Sequence, residues 1–281
     1  MKVITSVDEM RAESAHYRSS GRTVALVPTM GALHEGHLSL IRKARELTDR
    51  VVVSVFVNPI QFGPSEDLDS YPADLLKDRA MCEAEDVAVL FHPARAEMYS
   101  PVHSTYVVET DMSAGLCGKS RPGHFRGVTT VVAKIFNIVL PDVAVFGRKD
   151  AQQARVIERM VRDLNFPVRI IIVPIVRESN GLAMSSRNAY LSGDERTQAA
   201  CLHEAIELAE TLYAQGVRAT DLLKKNMLDV ISRWPAAEIE YVEIVDYGSL
   251  KPVREIGAPA LVALCVRFGR TRLIDNTVLG L

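Results

Sequence analysis

Strand-like and helix-like hydrophobic patterns alternate through the first two thirds of the chain. Strand-like runs occupy residues 23–27, 51–57, 87–91, 142–146 and 168–173, most of them continuously apolar. Runs without polar alternation are how strands covered on both faces read. Between them, apolar residues recur at helical spacing over 38–47, 75–85, 128–140 and 152–164. A capping-box pattern from Ser6 to Glu9 opens a further helix that extends to about Gly21. Strand and helix alternating in this way predict an α/β fold built on a doubly wound parallel sheet. In such sheets ligands sit beyond the carboxyl ends of the strands.

The texture changes after Pro174. Residues 177–188 are polar, with Gly181 among them. Amphipathic helical patterns follow at 194–215 and 219–232, then strand patterns at 239–245, 260–268 and 272–274. This order predicts a smaller C-terminal α+β domain, dividing the chain into 1–175 and 176–281. The polar stretch then lies at the domain junction, a common place for ligand sites. No internal repeat or low-complexity tract is visible.

Candidate chemistry concentrates where predicted strands turn into predicted helices. In PTMGALHEGHLSLI (28–41), His34 and His37 are three apart and share one side of a helix entrance. Free N–H groups and the helix dipole favour an anion there, and Gly31 and Gly36 let it approach the backbone. HEGH lacks the four-residue spacing and the third ligand of a zinc site. Two histidines flanking a glycine turn after a buried strand point to function more than to a satisfied helix cap. VFGRKDAQQ (145–153) is a second such turn. A lysine at a helix start is disfavoured unless an anion offsets it, and Lys149 suits phosphate. In GLAMSSRNAYLS (181–192), Ser185, Ser186 and Arg187 suit phosphate oxygens, and equally suit a solvated linker. FVNPIQFGPSEDLDSYP (56–72) brings the amides Asn58 and Gln61 beside Pro59 and Phe62, as in a small pocket reading hydroxyls and a carboxylate. RPGHFRGVTTVV (121–132) adds Arg121, His124 and Arg126 before another helix.

Composition narrows the classes. The 281 residues are 48% hydrophobic and 24% charged, as in an ordinary globular protein with a real core. A net charge of −2 gives no support for a nucleic-acid surface. No apolar run approaches a membrane span, and the first residues lack the apolar segment of a signal peptide. Cys82, Cys117, Cys201 and Cys265 are far apart and form no CxxC pair. That pattern suggests neither a zinc site nor a disulfide framework, and it fits a reducing cytoplasm.

Taken in order, PTMGALHEGH, FVNPIQF, RPGHFRGV, FGRKDAQQ, VPIVRESNGLAMSSRNAYLS and RLIDN resemble the pantothenate synthetase (pantoate–β-alanine ligase) family. That family is similar to the nucleotidylyltransferases and class I aminoacyl-tRNA synthetases. HEGH stands where these have a HIGH-type motif, and MSSR where they have a KMSKS-type loop. The resemblance implies a Rossmann-like sheet of the HIGH-type nucleotidyltransferase kind, a homodimer, and a two-step reaction. Pantoate attacks the α-phosphorus of ATP, giving pantoyl adenylate and pyrophosphate. β-Alanine then displaces AMP.

By the same resemblance, Met30, Gly31, Ala32, Leu33, His34, Glu35, Gly36 and His37 would cradle ATP. His34, His37 and Lys149 would be catalytic, with His37 the better proton donor to the leaving group. Gly147, Arg148, Lys149 and Asp150 would border the nucleotide, and Val176 would meet adenine. Met184, Ser185, Ser186 and Arg187 would close over the triphosphate. Gln61 and Gln153 would hold pantoate, Gln61 also reaching β-alanine. Mg2+ would be held largely by the phosphates, with Asp78 a possible contributor. Arg148 stands where relatives often carry an acidic or amide residue, and its side chain is expected to face solvent. Two other readings of these motifs are an adenylyltransferase without an amide-forming step and a nucleotide-binding regulator without catalysis.

Overall fold

The computed structural model describes residues 1–64 and 66–281; Ser65, within the 56–72 stretch, lies outside the described residues. The apolar runs become a six-stranded sheet made of β1 (Lys2–Ile4), β2 (Val24–Thr29), β3 (Arg50–Val55), β4 (Val89–Phe91), β5 (Val143–Gly147) and β6 (Arg169–Val173). The strand order is β1-β4-β3-β2-β5-β6, and every pairing is parallel. The helices α1 (Val7–Ser19), α2 (Glu35–Leu47), α3 (Leu75–Ala84), α4 (Arg95–Met98), α5 (Cys117–Ser120), α6 (His124–Val139) and α7 (Ala151–Asp163) make the crossovers. The predicted capping box at α1 is present in part: the Ser6 hydroxyl accepts from the Glu9 N–H at 3.2 Å.

Strand order reverses between β2 and β5, which pair through Ala25–Val143 and Leu26–Ala144. A crevice opens at such a reversal, at the carboxyl ends of the strands. The HEGH turn follows β2 and the GRKD turn follows β5, so the topology places the two phosphate-type turns side by side. One face of the sheet carries Leu26, Val52 and Phe146 against α6 and α7. The other carries Val27, Val53 and Val145 against α2. That two-sided cover is why these strands show no polar alternation.

The C-terminal part holds α8 (Gly193–Ala199), α9 (Cys201–Ala214), α10 (Thr220–Ile231) and an antiparallel sheet of β7 (Ala237–Asp246), β8 (Ala260–Phe268) and β9 (Thr271–Leu279). Its central strand, β8, is likewise covered on both faces. Val262, Leu264 and Val266 of β8 pack toward α9 and α10, whereas Leu261 and Ala263 join the core of the first sheet. The single helix expected over 194–215 is interrupted at Ala200. β9 runs five residues beyond its expected end, through buried Asp275 and Asn276. β1 is too short to leave a periodic signal. No helix among the described residues is long and apolar enough to cross a membrane.

Candidate functional site

The turn after β2 is pinned from beneath. Both oxygens of Asp78, on α3, accept backbone N–H groups: Ala32 at 3.0 Å and Leu33 at 2.7 Å. Asp78 is only 1% exposed. Burial pushes its carboxyl up, and the two N–H bonds oppose that shift. Gly31 sits at φ +88°, and a Cβ there would lie 2.9 Å from Asp78 Oδ2, so the turn tolerates no side chain. Asp78 therefore serves the backbone of the turn, and it does not line the cleft in the position expected of a magnesium ligand.

Beyond the pin, His34 forms the N-cap of α2, and its ring lies 4.1 Å from that of His37. The His34 N–H donates to His37 Nδ1 at 3.3 Å. Burial, then the charge of Lys149, pushes His34 down to about 4. Burial holds His37 well below its ordinary value, with His34 and Lys149 adding to the effect. Both shifts favour the neutral rings, and the bond to Nδ1 leaves the proton of a neutral His37 on Nε2.

The cleft at the crevice is lined by Met30, His34, Gly36, His37, Gly147, Lys149 and Asp150. Val176, Met184, Ser185, Ser186 and Arg187 close its far wall. Of the residues expected at the nucleotide, Gly31, Ala32, Leu33, Glu35 and Arg148 do not line it. Gly31 to Leu33 turn toward Asp78. Glu35 is exposed and pairs with Arg42. Arg148 does not simply face solvent: it is half-buried, and its Nε is buried without a partner.

Gln61 and Gln153 line the same cleft. Gln61 is held on both sides of its amide. Its Nε2 meets Met30 Sδ at 2.8 Å, and its Oε1 accepts from Asn58 Nδ2 at 3.0 Å. Asn58 donates further to the Gly127 carbonyl at 3.0 Å and accepts from Tyr99 at 2.8 Å. Asn58 thus orients Gln61. The turn also lies directly on α6: a Cβ at Gly127 would come within 2.6 Å of the Gln61 backbone. His124 accepts from Arg121 at 3.1 Å and donates from Nδ1 to the Gln61 carbonyl at 2.9 Å. Burial, then the charge of Arg121, pushes His124 down to about 4. The neighbouring Gln152 faces away, with its amide bonded to Met112, Gly115 and Cys117.

Sequence reasoning assigned no role to Tyr99, Asp67 and Tyr71. Arg187 makes a two-pronged ion pair with Asp67, at 2.9 and 2.8 Å, and Tyr71 meets Ser186 at 3.2 Å. These contacts tie the Ser185–Arg187 loop to the segment after β3. Asp67 and Tyr71 lie in a quoted motif, but nothing in their spacing marks them as a latch. Tyr99 is a lone aromatic with no sequence signal.

Among the described residues, no group of three His, Cys, Asp or Glu side chains could hold a metal ion.

The chain matches the family model "Pantoate-beta-alanine ligase" over residues 2–278. It is 55% identical to the pantothenate synthetase of Thermotoga petrophila and 54% identical to that of Heliobacterium modesticaldum, covering 100% and 99% of each chain. Its fold superposes on a Thermus thermophilus pantothenate synthetase structure with a TM-score of 0.94, at 44% identity over 99% of both chains. A Francisella tularensis pantoate–β-alanine ligase, solved in complex with beta-gamma ATP and β-alanine, superposes with a TM-score of 0.83 at 30% identity, covering 99% of this chain and 97% of that one. With six parallel strands, a crevice at their reversal and two phosphate-type turns facing it, the chain belongs to the pantoate–β-alanine ligase family, which condenses pantoate with β-alanine using ATP.

Proposed function

We propose that the cleft activates pantoate as an acyl adenylate and then passes the acyl group to β-alanine. A carboxylate is inert to amines because its leaving group is poor. Attack of a pantoate oxygen on the α-phosphorus of ATP expels pyrophosphate and installs AMP as a good one. The neutral amine of β-alanine then attacks the acyl carbon, AMP leaves, and the amine loses a proton. One observation carries this reading: the His34–His37 turn, the Lys149 turn and the Gln61 and Gln153 amides border one cleft.

In this reading Lys149 binds the oxygens on which charge grows as pyrophosphate departs. His37 donates a hydrogen bond from Nε2, and the bound triphosphate raises its affinity for a proton, because opposite charge favours the charged form. His34 assists from its tilted position against the His37 ring. Gly36, Gly147, Asp150 and Val176 border the nucleotide, and Met184 to Arg187 cover the phosphates. Gln61 and Gln153 hold pantoate, with Gln61 also near β-alanine. Neutral amides suit a carboxylate that must stay nucleophilic, because a bidentate arginine would blunt it. ATP enters as its magnesium complex, with the phosphates as the main ligands. Residues 1–175 form the base and 176–281 the cover. The active form is a homodimer, and its compartment is a reducing cytoplasm, in keeping with four free cysteines.

The test is product analysis with ATP, magnesium and pantoate, with and without β-alanine. Pyrophosphate exchange into ATP should require pantoate, and AMP release should require β-alanine. AMP release at full rate without the amine would sink the two-step reading.

A further inference from the structure

The RLIDN segment (272–276) has no role in the mechanism above, yet its Asp275 and Asn276 are buried polar residues side by side in β9. Asp275 is 1% exposed and Asn276 5%. Consecutive strand residues point to opposite faces, so their side chains reach different places. Asn276 reaches the Lys149 turn. Its Nδ2 donates to the Arg148 carbonyl at 3.0 Å and to the Lys149 carbonyl at 2.9 Å. Asp275 reaches the covering loop. Its two oxygens accept from Arg177 at 2.6 and 3.0 Å, and Arg177 also donates to the Gly181 carbonyl at 3.0 Å. The two residues border a second cavity that shares Lys149, Asp150 and Gln153 with the main cleft.

Lys149 sits on a turn of three residues, Arg148–Asp150. Each carbonyl oxygen of that turn has a second lone pair, free to accept beyond any bond within the turn. One amide nitrogen with two protons satisfies two successive carbonyls at once. An aspartate of the same shape would set an oxygen against both. The other end of the Asn276 amide, Oδ1, is buried with no partner. An unpaired buried acceptor is costly, so the donor end is what holds this residue in place. Lysine is a flexible four-carbon stem, and its ammonium is only as well placed as the backbone beneath it.

We infer that Asn276 is a positioning residue for adenylation: it fixes the Lys149 turn against the C-terminal sheet, while Asp275, through Arg177, fixes the covering loop to the same strand. One dipeptide thereby sets the distance between the two sides of the phosphate site. The inference rests on the reading that Lys149 acts on the departing phosphates. A displacement of about 1 Å in such a group costs on the order of 10²-fold in rate.

The experiment is a double-mutant cycle in the full chain with Asn276→Asp and Lys149→Ala. It is read as pantoate-dependent pyrophosphate exchange and as conversion of pre-formed pantoyl adenylate by β-alanine. Asn276→Asp should lower kcat for exchange by roughly 10- to 100-fold, leave conversion of the adenylate intact, and cost nothing more once Lys149 is alanine. Asn276→Ser, which keeps one donor and adds no charge, should fall between. It also serves as the test if the aspartate variant does not fold by circular dichroism. Costs that multiply in the double variant, or equal losses in both half-reactions, overturn the positioning role and leave the Lys149 reading standing. Full exchange activity in Lys149→Ala alone overturns both.

Discussion

The backbone N–H of His34 donates to Nδ1 of His37 at 3.3 Å, and this bond settles where the proton of the neutral His37 ring resides. The other nitrogen, Nε2, is then a donor. Donors aimed at charge that develops only in the transition state are typically worth about 3–4 kcal/mol, or roughly 10²–10³ in rate. His37→Ala and Lys149→Ala should therefore fold normally, since neither residue belongs to an apolar cluster. Each should slow adenylation by that factor. The second step involves no triphosphate, so either variant should still convert supplied pantoyl adenylate. Equal loss of both half-reactions in a folded Lys149→Ala protein would falsify the assignment.

Acid should weaken the fold through its buried histidines. His34 and His124 are pushed down to about 4, and His37 lies well below its ordinary value. An unfolded chain takes up these protons as pH falls through about 6.5, whereas the folded protein resists until about 4. Between those limits the unfolded state binds more protons, so stability falls as pH falls. Carboxylates held low by ion pairs, such as Glu66 beside Arg121, add their loss only below the ordinary carboxylate range. Urea midpoints measured from pH 7 to 5 should decline, and His124→Gln should flatten the decline. A level profile over that interval would contradict the neutral assignment.

Pantoate recognition should depend on Asn58 as well as on Gln61, although Asn58 acts through its neighbour. Gln61→Ala leaves substrate polar groups unpaired, at a cost of about 1–3 kcal/mol. It should raise KM for pantoate and spare ATP binding. Asn58→Ala should do the same to a smaller degree, and the two losses should not add. Steady-state kinetics with each substrate varied separates these effects. A matching loss of ATP affinity would show that the pocket is misassigned.

Asp78 offers a test of structure against metal binding. Asp78→Asn turns one acceptor into a donor that faces a backbone N–H. The expected result is a destabilisation of about 1–3 kcal/mol, with the magnesium concentration for half-maximal exchange unchanged. A large rise in that concentration at unchanged stability would make Asp78 a metal ligand instead.

What was legible in the sequence depended on whether a signal was local. β2, β3 and β5 could be read because an uninterrupted apolar run is what cover on both faces requires. The turns after β2 and β5 could be read because a lysine or a histidine pair at a helix start is chemically unusual. Contiguity says less about which backbone groups face the cleft. Gly31 to Leu33 belong to the quoted turn, but their backbone faces Asp78, which lies more than forty residues away. β9 was cut short because Asp275 and Asn276 break the apolar pattern. Their burial is made acceptable by Arg177 and by the carbonyls of Arg148 and Lys149, which no periodicity can reveal. The interruption at Ala200 has no evident cause in either sequence or packing.

The guanidinium of Arg187 holds an anion of the protein's own, the carboxylate of Asp67. If Arg187 covers the triphosphate as proposed, phosphate comes to it by exchange, one anion displacing another at a single cation. Little net charge is neutralised in such an exchange, so few counterions need be released at this contact. The salt dependence of ATP binding should be correspondingly shallow, less than a count of cationic residues around the cleft suggests. The measured affinity is then a difference between two partners of Arg187. Asp67→Asn should tighten ATP binding and steepen its salt dependence, and calorimetric titration at several ionic strengths reads both. The Arg187–Asp67 pair is in this sense an ion exchanger, with the protein's own carboxylate as the resident counterion.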